Sequence, residues 1–274
     1  MALEDVSLVF INLDRARDRR AFMEDQGARL GLTLERLSAF GPDDIAKAER
    51  ERLAASWERP LSGAELGLFF SHKALWERCC EEMRPLVILE DDAVLSRRLP
   101  ASLASLPGEA GERFDLINLE YIGRRKYFGR TGAMPMAEGL CISQVARDKA
   151  GSAAYLVTPR GARKLLLAAS DRAGPSDAFL FASGRLVVGQ AEPALAIQAH
   201  ILKAEGFEPP IDTTSQIGAP RRRPSLAPKN APYHWRRLAT QLSLLPYQAG
   251  RLTRLTMRKP QVDFSDFVSA GEDG

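Results

Sequence analysis

The sequence predicts an α/β protein with a layered central sheet, followed by a basic C-terminal segment. Short apolar runs rich in β-branched residues alternate with segments of helical periodicity, which is the pattern of an α/β layer architecture. The alternation ends near Ile217, where proline and arginine become frequent. The chain has 274 residues, of which 45% are hydrophobic, so it is long enough to bury a full core.

The elements follow one another in a regular order. Apolar runs predict strands at residues 6–13, 33–40, 86–89, 114–120, 151–158 and 186–188. Helices are predicted from residue 14 to about 30, from 63 to 84, and from 159 to about 169. The middle helix has a capping box, with Ser62 as N-cap and Glu65 at N3, and Pro85 ends it. Asp43 and Asp44 follow a proline and are assigned to the start of a further helix.

Three acids, Glu90, Asp91 and Asp92, directly follow the predicted strand at 86–89. Ligands bind at the carboxyl ends of strands in open α/β sheets. Carboxylates placed so close raise one another's pKa unless a cation neutralises them, and Mg²⁺ or Mn²⁺ prefers oxygen ligands of this kind. The cluster therefore indicates a divalent cation held together with substrate phosphates. A solvated turn or a helix cap is the alternative interpretation.

Other candidate residues have weaker signals. Arg15, Arg19 and Arg20 follow the first strand and could bind phosphate oxygens, although, without further context, a solvated helix face with Asp/Arg pairs is the better explanation. His72 lies on the helix before the acidic strand, where a lone histidine is more often structural than catalytic. Asp177 lies in a turn before an apolar run.

Several classes of protein lack their signatures here. The sequence contains no Gly-x-Gly-x-x-Gly, no Walker phosphate loop and no Gly-x-Ser-x-Gly elbow, which disfavours nicotinamide dehydrogenases, P-loop NTPases and α/β-hydrolases. The cysteines, Cys79, Cys80 and Cys141, form neither a disulfide framework nor a zinc motif. The N-terminal acids do not fit an export signal, and no apolar run reaches the ~18 residues of a membrane span. We therefore expect the reducing cytosol.

A series of short motifs occurs in a fixed order along the chain. They are Ile11-Asn-Leu-Asp-Arg15 with Arg19-Arg20, Leu61-Ser-Gly-Ala-Glu-Leu-Gly67, Ser71-His72, Trp76-Glu77, Val87-Ile-Leu-Glu-Asp-Asp-Ala93, Ala154-Tyr-Leu-Val-Thr158, Ala162, Leu165-Leu166, Asp177 and Leu180. Through these motifs the chain resembles, over about residues 5 to 217, glycosyltransferase family 25, a family that includes lipooligosaccharide galactosyltransferases of Gram-negative bacteria and relatives of the collagen galactosyltransferases. One departure is Leu68, where the family often has cysteine.

The resemblance implies a nucleotide-sugar glycosyltransferase of the GT-A type, with a mixed central sheet flanked by helices. It implies UDP-galactose as donor, a divalent metal (Mn²⁺ or Mg²⁺), and inversion, which requires a base to deprotonate the acceptor hydroxyl. The acceptor it implies is a saccharide or a lipid-linked saccharide. The assignments that follow are catalytic Asp177, Glu120 and His72; nucleotide-binding Asn12, Arg15, Arg19, Glu90 and Asp91; and metal-binding Asp92 with Glu90.

Two rival functions share these features. A nucleotide-sugar-binding module without catalysis would bind UDP and metal but show no turnover. A metal-dependent phosphohydrolase also uses clustered carboxylates, and it would split its substrate without any acceptor.

The C-terminal segment differs in charge from the rest of the chain. Residues 1–220 carry 28 Lys and Arg against 31 Asp and Glu, whereas residues 221–260 carry 10 and no acid. We therefore predict a catalytic domain at 1–218, a Pro/Arg-rich linker at 219–231 and a basic amphipathic segment at 232–274. Basic residues interleaved with Trp235 and leucines favour an anionic membrane surface, hence a peripheral position on the inner face of the cytoplasmic membrane. A solvated appendage or oligomer contact is the second interpretation, and nucleic-acid binding a distant third.

Overall fold

The computed structural model describes residues 6–130, 132–148, 150–182, 186–213, 225 and 227–268. Within these residues a large mixed sheet is flanked by helices on both faces, which confirms the predicted fold class. The strands are β1 (Ser7–Asn12), β2 (Leu34–Ser38), β3 (Leu86–Glu90), β4 (Ala93–Leu95), β5 (Leu116–Asn118), β6 (Glu120–Tyr121), β7 (Lys126–Gly129), β8 (Met134–Pro135), β9 (Cys141–Arg147), β10 (Ala154–Val157), β11 (Val188–Glu192), β12 (Ala196–Gln198) and β13 (Leu255–Arg258).

The order of strands in the large sheet is β13-β7-β9-β11-β5-β10-β3-β1-β2, with β8 paired to β9. Strands β1, β2 and β3 are parallel, and β5 and β11 are parallel to each other. Strand β10 runs antiparallel between β3 and β5, so β5 points the same way as β3. The carboxyl ends of five strands, together with the amino end of β10, therefore meet at one edge of the sheet.

A small second sheet lies beyond this edge. It has the order β4-β12-β6, with β12 antiparallel to β4 and parallel to β6. Strand β4 begins at Ala93, directly after the acidic cluster, and β6 begins at Glu120. The small sheet therefore brings the segment around Gln198 next to the acids that follow β3.

The helices lie on the two faces of the large sheet or in the C-terminal segment. They are α1 (Arg17–Leu30), α2 (Lys47–Ala54), α3 (Gly63–Glu82), α4 (Leu99–Leu103), α5 (Gly111–Arg113), α6 (Pro159–Ala168), α7 (Ser176–Ala182), α8 (Ala199–Ala204), α9 (Ala231–Ser243) and α10 (Leu245–Gly250). The capping box of α3 is present as the sequence predicts: the Glu65 amide donates to Ser62 Oγ, and the Ser62 amide donates to Glu65. Of the described residues, none belongs to a helix that is both long and apolar enough to cross a bilayer.

The alternation of side chains along each strand divides the core into two parts. On β1, Phe10 belongs to the core on one face, with Met23 of α1, whereas Val9 and Ile11 belong to the core on the other face. Helix α3 packs on that second face through its fully buried Trp76. The sheet is thus covered on both sides, as its continuous apolar strands require.

The C-terminal residues that the structure describes contact the body of the protein. Strand β13 pairs with β7 and forms one edge of the large sheet. The Arg258 guanidinium makes two hydrogen bonds to the carboxylate of Glu192, at 2.5 and 2.6 Å, and lies 4.0 Å from the centre of the Phe128 ring. Most of the predicted linker at 219–231 lies outside the described residues. The division into domains stays a prediction, but residues 255–258 complete the sheet of the first one.

Candidate functional site

The candidate site lies at the edge where the parallel strands end. Asn12 ends β1, Ser38 ends β2, and Glu90 ends β3. Asp91 and Asp92 form the turn between β3 and β4, as the sequence predicts for a cluster directly behind an apolar strand. Because β10 is antiparallel, its amino end places Ser152 and Ala153 between the ends of β3 and β5.

Asp91 joins the acidic turn to the first strand and the first helix. Its carboxylate accepts a 2.8 Å hydrogen bond from Asn12 Nδ2 and another of 2.8 Å from Arg19. Asn12 is buried and also donates to the carbonyl of Ala16 at 3.0 Å, so its amide holds the turn that opens α1. The structure therefore brings together three of the predicted nucleotide-binding residues and ties them to one another.

Arg36 on β2 supports this arrangement from the other side. Its Nε donates to Asn12 Oδ1 at 3.0 Å, and its guanidinium is ion-paired with Asp14. Ser38 Oγ donates to the same carboxylate at 2.9 Å. Hydrogen bonds from Arg36 and Ser38 lower the pKa of Asp14. The sequence analysis did not single out these three residues as site residues, although Arg36 and Ser38 lie within the predicted strand at 33–40 and Asp14 directly follows the first one.

Glu90 faces the interior of the site, where Ser152 Oγ donates to its Oε1 at 2.6 Å. His72 Nε2 lies 3.7 Å from the same oxygen. Burial by itself would raise the pKa of Glu90, but His72 and Ser152 outweigh it and the pKa lies below its ordinary value. Glu90 is therefore held as a carboxylate at neutral pH.

His72 lies behind Glu90 rather than on the open side of the site. It is fully buried, and its Nδ1 lies 2.9 Å from the hydroxyl of Tyr155, which also accepts a 2.9 Å hydrogen bond from Trp76 Nε1. The rings of His72 and Tyr155 are stacked, with centres 5.8 Å apart. The structure thus places His72 where it can orient Glu90.

Asp92 has weaker partners than its two neighbours. Gln198 Nε2 lies 3.3 and 3.4 Å from its two oxygens, and Arg19 lies 3.8 Å away. Burial, followed by the charge of Glu90, raises the pKa of Asp92 to about 6. A carboxyl in this position gains most from an added positive charge.

Glu120 lies deeper than the other acids and is fully buried. Its Oε2 accepts a 3.0 Å hydrogen bond from the Ala153 amide, while Oε1 has no hydrogen-bond partner among the described residues. Burial and the charge of Glu90 raise its pKa well above the ordinary value, against a smaller opposite effect of Lys126. Burial thus favours the protonated form of Glu120 more than that of an ordinary glutamate.

His200 opens helix α8 beside the acidic turn and was missed by the sequence analysis. The amide of the preceding residue, Ala199, donates to the carbonyl of Asp92 at 3.0 Å. Burial lowers the pKa of His200, the charge of Glu90 opposes this, and Arg19 adds to it. Nothing in the local sequence predicts that His200 or Gln198 lies near the acidic turn. Their position depends on the pairing of β12 with β4 in the small sheet.

The two remaining predicted residues, Arg15 and Asp177, belong to segments other than the acidic turn. Arg15 is exposed in the turn after β1. Asp177 lies in the first turn of α7, and its charge, after that of Glu65, raises the pKa of Arg59 just before the start of α3. Helix α7 is fixed against α3 by Phe179, whose ring centre lies 4.8 Å from that of Phe69.

The donor chemistry of the site fits a divalent cation only in part. Carboxylate oxygens of Asp92 and Glu90 are suitable hard ligands, and Asp92 is only loosely bound by Gln198. Among the described residues, however, no three His, Cys, Asp or Glu side chains are grouped to hold a metal ion. The residues therefore fit a cation that takes most of its other ligands from substrate phosphates, which is a common way to bind Mg²⁺.

Comparison with known proteins agrees with this geometry. The family model described as glycosyltransferase family 25 (LPS biosynthesis protein) matches residues 8–180, which include the whole acidic cluster and Asp177. Three similar relatives are each named "Glycosyltransferase 25 family member". They come from Drosophila pseudoobscura pseudoobscura (26% identical over 243 residues), Anopheles gambiae (25% over 259) and Aedes aegypti (23% over 242). The alignments cover 77%, 82% and 77% of this chain, but only 37%, 42% and 38% of the relatives.

Proposed function

The chain belongs to glycosyltransferase family 25, and from this premise we propose that it transfers a hexose from a nucleotide sugar to a hydroxyl of a saccharide acceptor. The observation that carries the proposal is the cluster of Glu90, Asp92 and Arg19 at the carboxyl edge of β3. We further propose UDP-galactose as the donor. The acceptor would be a cell-surface saccharide such as lipooligosaccharide or lipopolysaccharide.

The donor's diphosphate is the group that this site is best suited to bind. Arg19 lies between Asp91 and Asp92 and points its guanidinium into the acidic turn, and Arg15 is exposed nearby. A guanidinium binds phosphate oxygens through paired hydrogen bonds. Asn12 and Glu90 border the same space, so the nucleotide would lie across the ends of β1 and β3.

Asp92 and Glu90 would hold a divalent cation together with the diphosphate. When bound, Mn²⁺ or Mg²⁺ would neutralise the charge that develops on the leaving phosphate oxygen. The raised pKa of Asp92 supports this assignment. Burial and the charge of Glu90 destabilise the ionised form of Asp92, and a bound cation would stabilise that form.

The proposed reaction is an inverting displacement. The acceptor oxygen forms a bond to the anomeric carbon while the bond from that carbon to the phosphate oxygen breaks, and the electron pair leaves with UDP. Asp177, the first candidate from the sequence, would take the proton of the acceptor hydroxyl. Arg19 stabilises the departing diphosphate. Glu120, which is fully buried, and His72, behind Glu90, would position the acidic cluster rather than touch the acceptor.

The test is a panel of UDP-sugars measured with and without Mn²⁺ and with and without a saccharide acceptor. We expect UDP-galactose to give the highest turnover, and sugar release to depend on the acceptor. Binding of UDP and Mn²⁺ without turnover would favour a non-catalytic binding module, and equal hydrolysis without acceptor would favour a phosphohydrolase.

The Asp92→Asn variant tests the metal assignment directly. It should lower turnover about a thousandfold, because an amide cannot supply the charge that holds the cation and the diphosphate together. Asp25→Asn, an exposed acid on α1 paired with Arg29, is the matched control and should leave turnover unchanged. Full turnover of Asp92→Asn with normal dependence on Mn²⁺ would contradict the assignment.

A further inference from the structure

Helix α9 exposes a continuous apolar face. Trp235, Leu238, Leu242 and Leu245 are 69%, 46%, 55% and 54% exposed, and α9 has no buried residue. Their spacing of three, four and three residues places them on one side of the helical segment. Leu252, in the turn after α10, is 84% exposed. Elsewhere among the described residues, large exposed apolar side chains occur singly, at Met83, Leu167 and Val187.

The opposite face of α9 is fixed to the body of the protein. The Arg236 guanidinium donates to the carbonyls of Ala55 and Trp57 at 2.8 and 3.0 Å, and Thr240 Oγ1 donates to Glu58 at 2.5 Å. At 3.6 residues per turn, these two anchors point about 150° away from the mean direction of the apolar face. The apolar side chains are therefore presented outward by a helix whose other side is already occupied.

The segment that carries this apolar face also carries exposed positive charge. Arg237, Arg251 and Arg254 are exposed, and residues 221–260 contain no Asp or Glu. The backbone around the last two arginines is held by Arg130, which donates to the carbonyls of Arg251 and Leu255 at 3.1 and 3.3 Å. The cationic side chains thus extend from a segment that the body fixes in place.

We propose that the apolar face of Trp235, Leu238, Leu242 and Leu245, together with the exposed Leu252, Arg237, Arg251 and Arg254 of the same segment, binds an anionic phospholipid surface. Leucine and tryptophan enter the boundary between headgroups and acyl chains, and arginines bind lipid phosphates. A nucleic acid would match the arginines but not the contiguous leucines. A protein partner would need acids to match the arginines, whereas an anionic bilayer supplies both kinds of contact.

The position of α9 adds a consequence for the acceptor, which rests on the proposed function. The anchor residue Trp57 packs against Phe179 of α7, with ring centres 6.3 Å apart, and α7 carries Asp177 in its first turn. The lipid-binding face is therefore joined through two packed side chains to the predicted acceptor end of the site. The acceptor that this arrangement fits is a lipid-borne saccharide at the membrane surface.

The test measures binding of the full chain to phosphatidylcholine vesicles with or without phosphatidylglycerol, by co-sedimentation at low and high salt. We expect binding to the anionic vesicles and weakening by salt. Trp235→Ala/Leu238→Ala/Leu242→Ala should weaken binding at least ~100-fold. Arg237→Gln/Arg251→Gln/Arg254→Gln should weaken it about fivefold for each arginine.

Two control variants match these changes elsewhere on the surface. Met83→Ala/Leu167→Ala removes side chains that are 63% and 71% exposed, and Arg29→Gln/Arg52→Gln/Arg163→Gln removes three exposed charges. Both should bind vesicles as the unchanged chain does. Trp235 also provides a local signal, because Trp76 is fully buried and Trp57 is partly buried against Phe179. The fluorescence of Trp235 should shift to the blue on binding, and Trp235→Leu should keep binding but lose the shift.

The proposal would be overturned by failure of the unchanged chain to bind, by equal binding to neutral vesicles, or by equal binding of the apolar triple variant. It would also be wrong if the unchanged chain formed a dimer and the apolar triple variant were monomeric, because a second copy would then cover the face. Tighter binding of RNA, with displacement of the vesicles, would likewise contradict it. Transfer from UDP-galactose to a soluble saccharide acceptor by the triple variants separates the two proposals. Intact transfer in solution with lost vesicle binding supports lipid binding, and vesicle binding without any transfer would refute only the proposed reaction and its acceptor.

Discussion

The acidic turn after β3 and the C-terminal segment differ in how far their charged side chains are buried. In the turn, Arg19, Asp91 and Asp92 have only 12%, 13% and 17% of their side chains exposed, and each contacts another. In the C-terminal segment, Arg237, Arg251 and Arg254 are exposed to solvent. Buried charges interact strongly and in a fixed geometry, whereas exposed charges are screened and interchangeable. Single substitutions should therefore have large effects in the first region and small, additive ones in the second.

The largest effect is expected for Arg19→Gln. Removing this guanidinium takes away the charge that stabilises the leaving diphosphate and leaves Asp91 and Asp92 with less compensation. Turnover with the nucleotide sugar should fall about a thousandfold, or ~4 kcal/mol in transition-state stabilisation. Steady-state kinetics with a saccharide acceptor measure it.

Two variants show whether position rather than charge alone matters at Arg19. Arg29→Gln removes an exposed arginine from the same helix and should leave turnover unchanged. Arg19→Lys keeps the charge, but an ammonium group lacks the planar set of donors with which a guanidinium can bind two carboxylates and a phosphate at once. This variant should therefore retain only part of the activity. Normal turnover of Arg19→Gln would contradict the expectation that single substitutions have larger effects in the acidic turn than in the C-terminal segment.

Arg258→Met is expected to have the next largest effect, because this arginine belongs to the basic segment but not to its exposed part. Its bidentate partner Glu192 is 1% exposed and would be left without its counter-charge. The free energy of unfolding at pH 7 should fall by about 3 kcal/mol, as measured by urea denaturation. Arg254→Met, four residues earlier and exposed, should change it by less than ~0.5 kcal/mol. Similar losses for both variants would show that burial does not decide the effect.

The same ion pair predicts a dependence on pH. Burial would raise the pKa of Glu192, but Arg258, Ser143 and the Gln261 amide together lower it from 4.5. The pair therefore stabilises the fold fully above about pH 4.5, the pKa of glutamate in the unfolded chain. This stabilisation is lost as the pH falls through the lower pKa that Glu192 has in the folded protein. In Arg258→Met the pKa is no longer lowered by the arginine, so the difference in unfolding free energy from the unchanged chain should narrow at acidic pH. A difference that is constant from pH 7 to pH 3 would contradict this assignment.

The sequence was sufficient where local signals are strong. The apolar runs that became β1, β3 and β10, the capping box at Ser62, and the acidic cluster behind β3 all follow from periodicity and side-chain type. The resemblance to the glycosyltransferase family predicted the family itself, which the matching model over residues 8–180 confirms.

What the sequence could not show depends on pairing between distant segments. Strands β4, β6 and β12 have two or three residues each, too few for a periodic pattern, yet they bring Gln198 and His200 to Asp92. Because β10 is inserted antiparallel between β3 and β5, Ser152 lies within hydrogen-bond distance of Glu90. Nothing in the sequence around residue 152 predicts this contact. The charge pattern likewise separated the basic segment from the body, whereas strand pairing joins β13 to β7.

Tyr155→Phe probes the buried network behind Glu90 and should have an intermediate effect. The hydroxyl accepts from Trp76 and lies 2.9 Å from His72 Nδ1, so its loss leaves two buried nitrogens without a partner. The free energy of unfolding should fall by about 2 kcal/mol in urea denaturation, with a smaller loss of turnover through His72. Tyr233→Phe, at the half-exposed start of α9, is the control and should be neutral. An unchanged unfolding free energy in Tyr155→Phe would show that the network is not coupled.

The smallest effect is expected for Arg237→Gln, whose side chain is exposed on α9. It should change the free energy of unfolding by less than ~0.5 kcal/mol and weaken binding to anionic vesicles about fivefold. Because exposed charges act independently, adding Arg254→Gln should multiply the two effects on vesicle binding. In the acidic turn, by contrast, Arg19→Gln combined with Asp92→Asn should cost little more turnover than either alone, since each already disables the same unit. If the two surface arginines were strongly coupled, or the two buried residues additive, then burial would not be what separates the two regions, and the lipid-binding face would have to be a single specific site.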